Sequence, residues 1–405
     1  MSKKIPLGIA LAMSFIAIAV TVAVTITVYM NVYNKLIQDL PQRAQLYSKL
    51  SDMDELVRTN YYGTIDSDEL DMKIARGYID GLDDDYSFYL SAEDYTEYYS
   101  NSIGDISGIG IQTLFDEESE KLIVAEVAQD SPAQQAGIEK GDIILSVQSE
   151  QITAENHASL SALFDGEKLT GVDLELMRDA EGTTNDKTFA VNVAKGYKAQ
   201  SCFYSLDGTV GYIKLTEFYE NTADAFAQAI SALSEKGVTG IIIDVRNNTS
   251  NNFEYAAKVI DVIVPLATEG TGELATAKNA AGETIEIFSA DSSSVNLPLA
   301  VLINDRTEGA AELLACDLMD FGKARLFGET TVGHGTLQKI FRLDDGGAVV
   351  LTVAKIYPYI SDCYDGIGVI PHESVYMTEK DKNRLATLDK SEDEQYKAAL
   401  NYLSQ

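Results

Sequence analysis

Tryptophan is absent from this chain, and cysteine, histidine and basic residues are scarce. The cysteines, Cys202, Cys316 and Cys363, are odd in number and far apart. No CxxC pair and no zinc-ligand spacing occurs, so neither a disulfide framework nor a structural zinc site is indicated. The histidines, His157, His334 and His372, are equally dispersed and suggest no metal cluster; no cofactor is implied. Against 63 acidic residues stand 31 basic ones, a formal net charge of −32. That balance argues against nucleic acid or an anionic membrane surface as partner. The acid is spread along the chain as a solvated surface, with no block of five or more like charges. No internal repeat or low-complexity linker interrupts the 405 residues, which suffice for two or three domains.

What is present begins with an apolar run. Ile5 to Asn34 carries no charge, and Leu7 to Met30 is mostly Ala, Ile, Val, Leu and Thr. At about 1.5 Å per residue such a helix exceeds the roughly 30 Å of a bilayer core. An uncleaved membrane anchor is expected, with a signal peptide cleaved near Ala17-Ile18-Ala19 as the rival. Lys3 and Lys4 before the run and Lys35, Arg43 and Lys49 after it do not decide its orientation. A helical arm follows: a stalk from Asn31 to Leu50 broken or kinked at Pro41, then helices over Asp52–Tyr61, Ser67–Leu82 and about Ala92–Tyr98, the last capped by Ser91.

Residues 101–190 resemble a PDZ domain. Gly108-Ile109-Gly110-Ile111 looks like its carboxylate-binding loop. Ser131-Pro132-Ala133 and the run Ala136 to Ile144 look like its later helix, turn and strand. In such a loop consecutive amides cradle a peptide's free carboxylate while the peptide adds a strand to the sheet edge. Further on, the strand Val210–Leu215, a helix opened by Asn221 and Thr222, and the apolar run Ile241–Arg246 alternate as in a parallel α/β core. Leu299–Ile303 reads as another buried strand. It ends in a polar corner at Asn304–Gly309, followed by a helix, the strand Ala324–Phe327 and a glycine-rich turn, Gly328–Gly335. Strand end, sharp turn and helix start together form a common mount for a nucleophile.

This stretch resembles the C-terminal processing peptidases, or tail-specific proteases, serine peptidases with a Ser–Lys dyad. Asn304, Thr307, Ala310 and Glu312 fit the family's nucleophile corner, and Thr331, Gly333, Gly335 and Gln338 its base turn. The resemblance gives Gly309 the nucleophile's place, His334 the lysine's, and Gln338 the role of orienting the base. The family's oxyanion-hole phrase survives as Asp244, Arg246 and Asn248, with Ser250 and Asn251 in place of two glycines; both still offer an N–H, and Asn251 tolerates left-handed geometry. Glycine has no side-chain atom to acylate, whereas histidine can serve as a base near neutral pH. Thr307 and Cys316 are poor substitutes as nucleophile.

The fold implied is an α/β peptidase-like core with an inserted β-rich PDZ domain, an N-terminal transmembrane helix and a helical arm. Its parts are a cytoplasmic tail and anchor (1–34), the arm (35–100), the PDZ domain (101–190), the core (191–375), closed by strands Leu351–Ile356 and Gly368–Pro371, and a C-terminal helix or tail (376–405). The function implied is a cell-membrane protein with extracytoplasmic domains that binds C-terminal tails of client proteins without cutting them. Its partners would be those tails, the membrane, and a second copy or an active relative. The alternatives are a serine-type endopeptidase with altered catalytic residues, His334 activating water or another hydroxyl, and a structural envelope component.

Overall fold

The computed structural model describes residues 40–404 apart from 106, 117–118, 129–130, 166–169, 179–186, 265–271 and 290–294, together with isolated positions between 13 and 30. The apolar run Leu7–Met30 lies largely outside the described residues. Among those described, no helix is long and apolar enough to cross a membrane. The chain divides into two units, Met1–Ile74 and Ala75–Gln405. In the first, one helix spans Leu40–Asn60 and another begins at Ser67. Pro41 is the second residue of the Leu40–Asn60 helix as described.

In the second unit the core is a six-stranded sheet in the order Cys202–Asp207, Val210–Leu215, Gly240–Asp244, Leu299–Ile303, Ala324–Gly328, Glu373–Ser374. The first pair is antiparallel and the others parallel. Gly240–Asp244 and Leu299–Ile303 are buried throughout, as a sheet covered on both faces requires. Alternate residues feed opposite faces. Ile241, Ile243, Val301 and Ile303 pack with helices Thr222–Glu235, Phe253–Ile263 and Ala310–Asp320. Ile242, Ala300 and Leu302 pack against Tyr396, Ala399 and Leu403. The chain's end is therefore no free tail. It forms two helices, Glu379–Asn383 and Glu394–Leu403, and the second closes a face of the sheet.

A second, antiparallel sheet contains Phe88–Leu90, Glu273–Lys278, Thr284–Ser289, Thr336–Arg342 and Ala348–Tyr357. Residues 86–90 thus belong to the core rather than to an arm, since Phe88–Leu90 pairs with Ala348–Val350. The expected strand at Gly368–Pro371 is an irregular loop. Gly368 has φ +80°, its built Cβ would lie 2.3 Å from the Thr331 carbonyl oxygen, and Pro371 has no N–H to pair.

The PDZ strands run in the order Ile111–Asp116, Lys121–Val127, Ile143–Val147, Gly171–Arg178, Lys187–Ala194. Ser131 caps its short helix, accepting from the Gln134 N–H. A two-residue ribbon, Ser107–Gly108 with Tyr197–Lys198, ties the domain's entry to its exit.

Candidate active site

The Leu299–Ile303 strand delivers Asn304 into a buried corner. The Asn304 Oδ1 accepts from the Asn247 and Arg306 N–H groups, and the Thr307 hydroxyl lies 3.1 Å from both Asn304 Oδ1 and the Val245 carbonyl oxygen. Thr307 is thereby a brace of the turn, not a free hydroxyl. The turn ends at Gly309, with φ +64° and ψ −118°. Only glycine takes this conformation without strain. A Cβ built there would sit 2.3 Å from Asn251 Oδ1 and 2.6 Å from the Ser250 carbonyl oxygen. The seat a nucleophile would use is filled by the neighbouring loop.

That loop also engages two N–H groups at the place of an oxyanion hole. The Ala310 N–H, first amide after the corner, donates to the Ser250 carbonyl at 2.7 Å. The Ser250 N–H donates to Asn248 Oδ1 at 3.0 Å. The N–H that Ser250 was expected to offer is thus committed, and the left-handed residue of the loop is Asn247, φ +59°, rather than Asn251.

Glu312, fully buried in the first turn of the helix, holds corner and base turn together. Its carboxylate accepts the N–H groups of Gly309 (2.9 Å), Gly333 (2.7 Å) and His334 (2.8 Å), and the Thr331 hydroxyl. Burial nevertheless pushes its carboxyl up.

His334 is 1% exposed. Its Nδ1 lies 3.1 Å from Glu308 Oε1 but off the hydrogen-bonding direction, and its Nε2 lies 3.3 Å from Gln338 Nε2. Gln338 Nε2 also donates to the Thr336 and Thr352 hydroxyls. Tyr86 covers the imidazole, ring on ring at 3.4 Å and 11°, and its hydroxyl donates to Glu308 Oε1 at 2.9 Å. The His334 contact first, then the Tyr86 hydroxyl, hold the Glu308 carboxyl below its ordinary range.

The structure brings Gly309, His334, Gln338, Ser250 and Asn251 into one locale. Tyr86 and Glu308 also stand there, and neither was singled out from the sequence. Glu308 adjoins Gly309 and could have been found by asking what faces the base; Tyr86 arrives from far upstream, in a family-like phrase to which no catalytic part was given. Cys316 is buried on the corner helix, and burial pushes its thiol up to about 12.

Beside the corner opens a cleft of about 470 Å³ lined by Tyr86, Ser250, Asn251 and Gln338 among others. His334 is not on its wall. Glu217 is, and burial, opposed by the Ser250 hydroxyl, raises its carboxyl to about 6. A carboxyl raised from its unfolded value adds nothing at acid pH and destabilises progressively as pH rises from about 4.5 through 6. Glu217→Gln is therefore expected to stabilise the fold by about 2 kcal/mol at pH 8 and not at pH 4, measured by urea unfolding at both. A gain equal at both pH values would contradict this origin.

In the PDZ domain Gly108, Gly110 and Ile111 border a hollow of only about 90 Å³. Ile109 is fully buried, and its N–H donates to the Phe164 carbonyl at 3.1 Å, so this amide of the expected cradle is already taken. Phe115 on the first PDZ strand and His157 on the helix His157–Ser161 stack at 3.9 Å.

Residues 209–375 match the model of peptidase family S41, and residues 107–193 that of a PDZ domain. A carboxyl-terminal-processing protease of Synechocystis is 31% identical over 329 residues, 80% of this chain and 74% of the relative. The chain belongs to peptidase family S41. Its S41 core carries the PDZ domain between residues that pair at Ser107–Gly108 and Tyr197–Lys198. A carboxy-terminal processing protease, CtpA, of Bacillus subtilis is 32% identical over 76% of this chain; the match spans 64% of that relative's own length. A solved structure assigned to the S41 proteases, from Bacteroides fragilis, superposes with TM-score 0.57 at 17% identity, covering 85% of this chain and 91% of the other, a likeness of fold alone.

Proposed function

We propose that this S41 member is a membrane-anchored, extracytoplasmic protein that holds the C-terminal tails of client proteins and does not cut them. The observation carrying the reading is the filled corner. Gly309 offers no nucleophile, Asn251 Oδ1 stands where its side chain would grow, and the Ala310 N–H is bonded to Ser250 rather than facing a substrate. Without an attacking atom and with a donor closed off, the two largest contributions to acyl transfer are missing. The PDZ domain and the cleft are what remain to hold a peptide. A tail entering the PDZ groove would part His157 from Phe115. The apolar run Leu7–Met30 supports the anchor.

One observation favours a second reading, hydrolysis by water with His334 as base: Glu308 stands at Nδ1, as an orienting carboxylate would. Tyr86 lies over that imidazole, which weighs against it.

The test is the full chain in detergent with an unfolded protein and with one peptide as free acid and as amide. The free acid is expected to bind at least about tenfold tighter, with both substrates intact after prolonged incubation. Cleavage that disappears in His334→Ala would overturn the proposal in favour of the second reading.

A further inference from the structure

The walls of the cleft beside the corner mix polar residues, such as Asn101, Thr249 and Asn252, with an aromatic and aliphatic part that includes Phe88, Phe253, Phe288 and Leu337. The charged residues on them are Glu217, Glu254 and Glu286, all acidic. Two of the three already have cations: Lys258 lies 2.9 Å from Glu254, and Lys339 2.9 Å from Glu286. Among the described residues Glu217 forms no ion pair. Its polar neighbour is the Ser250 hydroxyl, in the loop that fills the corner. A half-buried carboxylate without a counter-ion costs stability, and such a cost is ordinarily tolerated where a ligand relieves it.

We propose that this cleft holds a basic side chain, lysine or arginine, of the bound peptide, with its charge paired to Glu217 and its aliphatic stem against the aromatic wall. This rests on the tail-binding reading above and adds to it a class of occupant. The fit is one of charge and shape. An anionic segment would face three carboxylates, and a neutral one would leave Glu217 bare. A basic side chain instead lays methylenes on aromatic rings and brings its cation within reach of their faces. A metal ion is a poorer match: Glu217 is a single carboxylate, and no group of histidine, cysteine and acidic residues among the described ones could share it. The formal charge of −32 draws cationic segments toward the protein from a distance.

Because the chain has no tryptophan, a single tryptophan in a peptide reports binding without background. Two such peptides, identical except for lysine or norleucine at one position, are titrated with the full chain in detergent at pH 7.5. The lysine peptide is expected to bind at least about tenfold tighter. Glu217→Gln, expected to fold at least as well as the native chain, should erase that difference while leaving the norleucine affinity in place. Equal binding of both peptides to the native chain, or a lysine preference that survives in Glu217→Gln, would overturn the proposal. So would displacement of the lysine peptide by equimolar n-butylamine, which would mark a site for small amines. The parent reading fails separately: if the peptides are cut, it falls, and the lysine preference is read from kcat/KM instead.

Discussion

Glu312→Ala is expected to lower the free energy of unfolding by about 4 kcal/mol, one of the largest effects a single substitution can have here. The variant removes an acceptor shared by three N–H groups and a hydroxyl, in a place no bulk water reaches to replace it. Each donor left bare costs on the order of 1–3 kcal/mol, reduced by whatever the two loops recover by separating. Glu312→Gln should be nearly as severe. Its amide keeps one acceptor oxygen, but its NH₂ group must face an N–H donor. Urea unfolding gives the magnitude. Amide exchange locates the damage, since the protons of Gly309, Gly333 and His334 should all lose protection together. A loss below about 1 kcal/mol, or loss of protection at one segment alone, would show that Glu312 does not join the two.

The second large effect is a failure of rescue. Gly309→Ser/His334→Lys restores the residue types of a Ser–Lys dyad, yet is expected to cleave no peptide above the blank. That places it more than about 10⁴-fold below a common enzyme turnover on the order of 10 s⁻¹. Three features stand in the way. The new Cβ meets Asn251 and the Ser250 backbone in a conformation that costs a non-glycine residue about 1–3 kcal/mol. The Ala310 N–H stays bonded to Ser250. A lysine in place of His334 would lie beside the Glu308 carboxylate, which favours the protonated amine and so removes the base. Peptide cleavage by the double variant would mean that the 248–252 loop yields readily, and that the corner is closed only for want of a side chain.

Features with a local cause are legible in the sequence, and those set by remote segments are not. The α/β core was legible because Ile241–Ile243 and Leu299–Ile303 are unbroken apolar runs followed by polar corners, a local pattern with a local cause. The corner and base turn were legible as motifs, and they do meet. What escaped was whatever required knowing which remote segment lies on top. Tyr86 reaches His334 only because Phe88–Leu90 joins a sheet edge offered by Ala348–Val350, more than two hundred positions on. The reading of Ser250 as a free oxyanion donor failed for a similar reason, since the direction of one N–H follows from the Asn248 side chain. At Gly368–Pro371 the resemblance to the family's closing strands suggested a strand, and the positive φ of Gly368 decided otherwise.

The backbone at Gly309 bears on history as well as on chemistry. At φ +64° any side chain is held under strain, so an ancestor carrying serine there would have gained stability on exchanging it for glycine. The step forward is downhill for folding. The step back is uphill twice over, once for the dihedral and once for displacing the asparagine that now fills the space. A lineage that crosses such a step does not easily return.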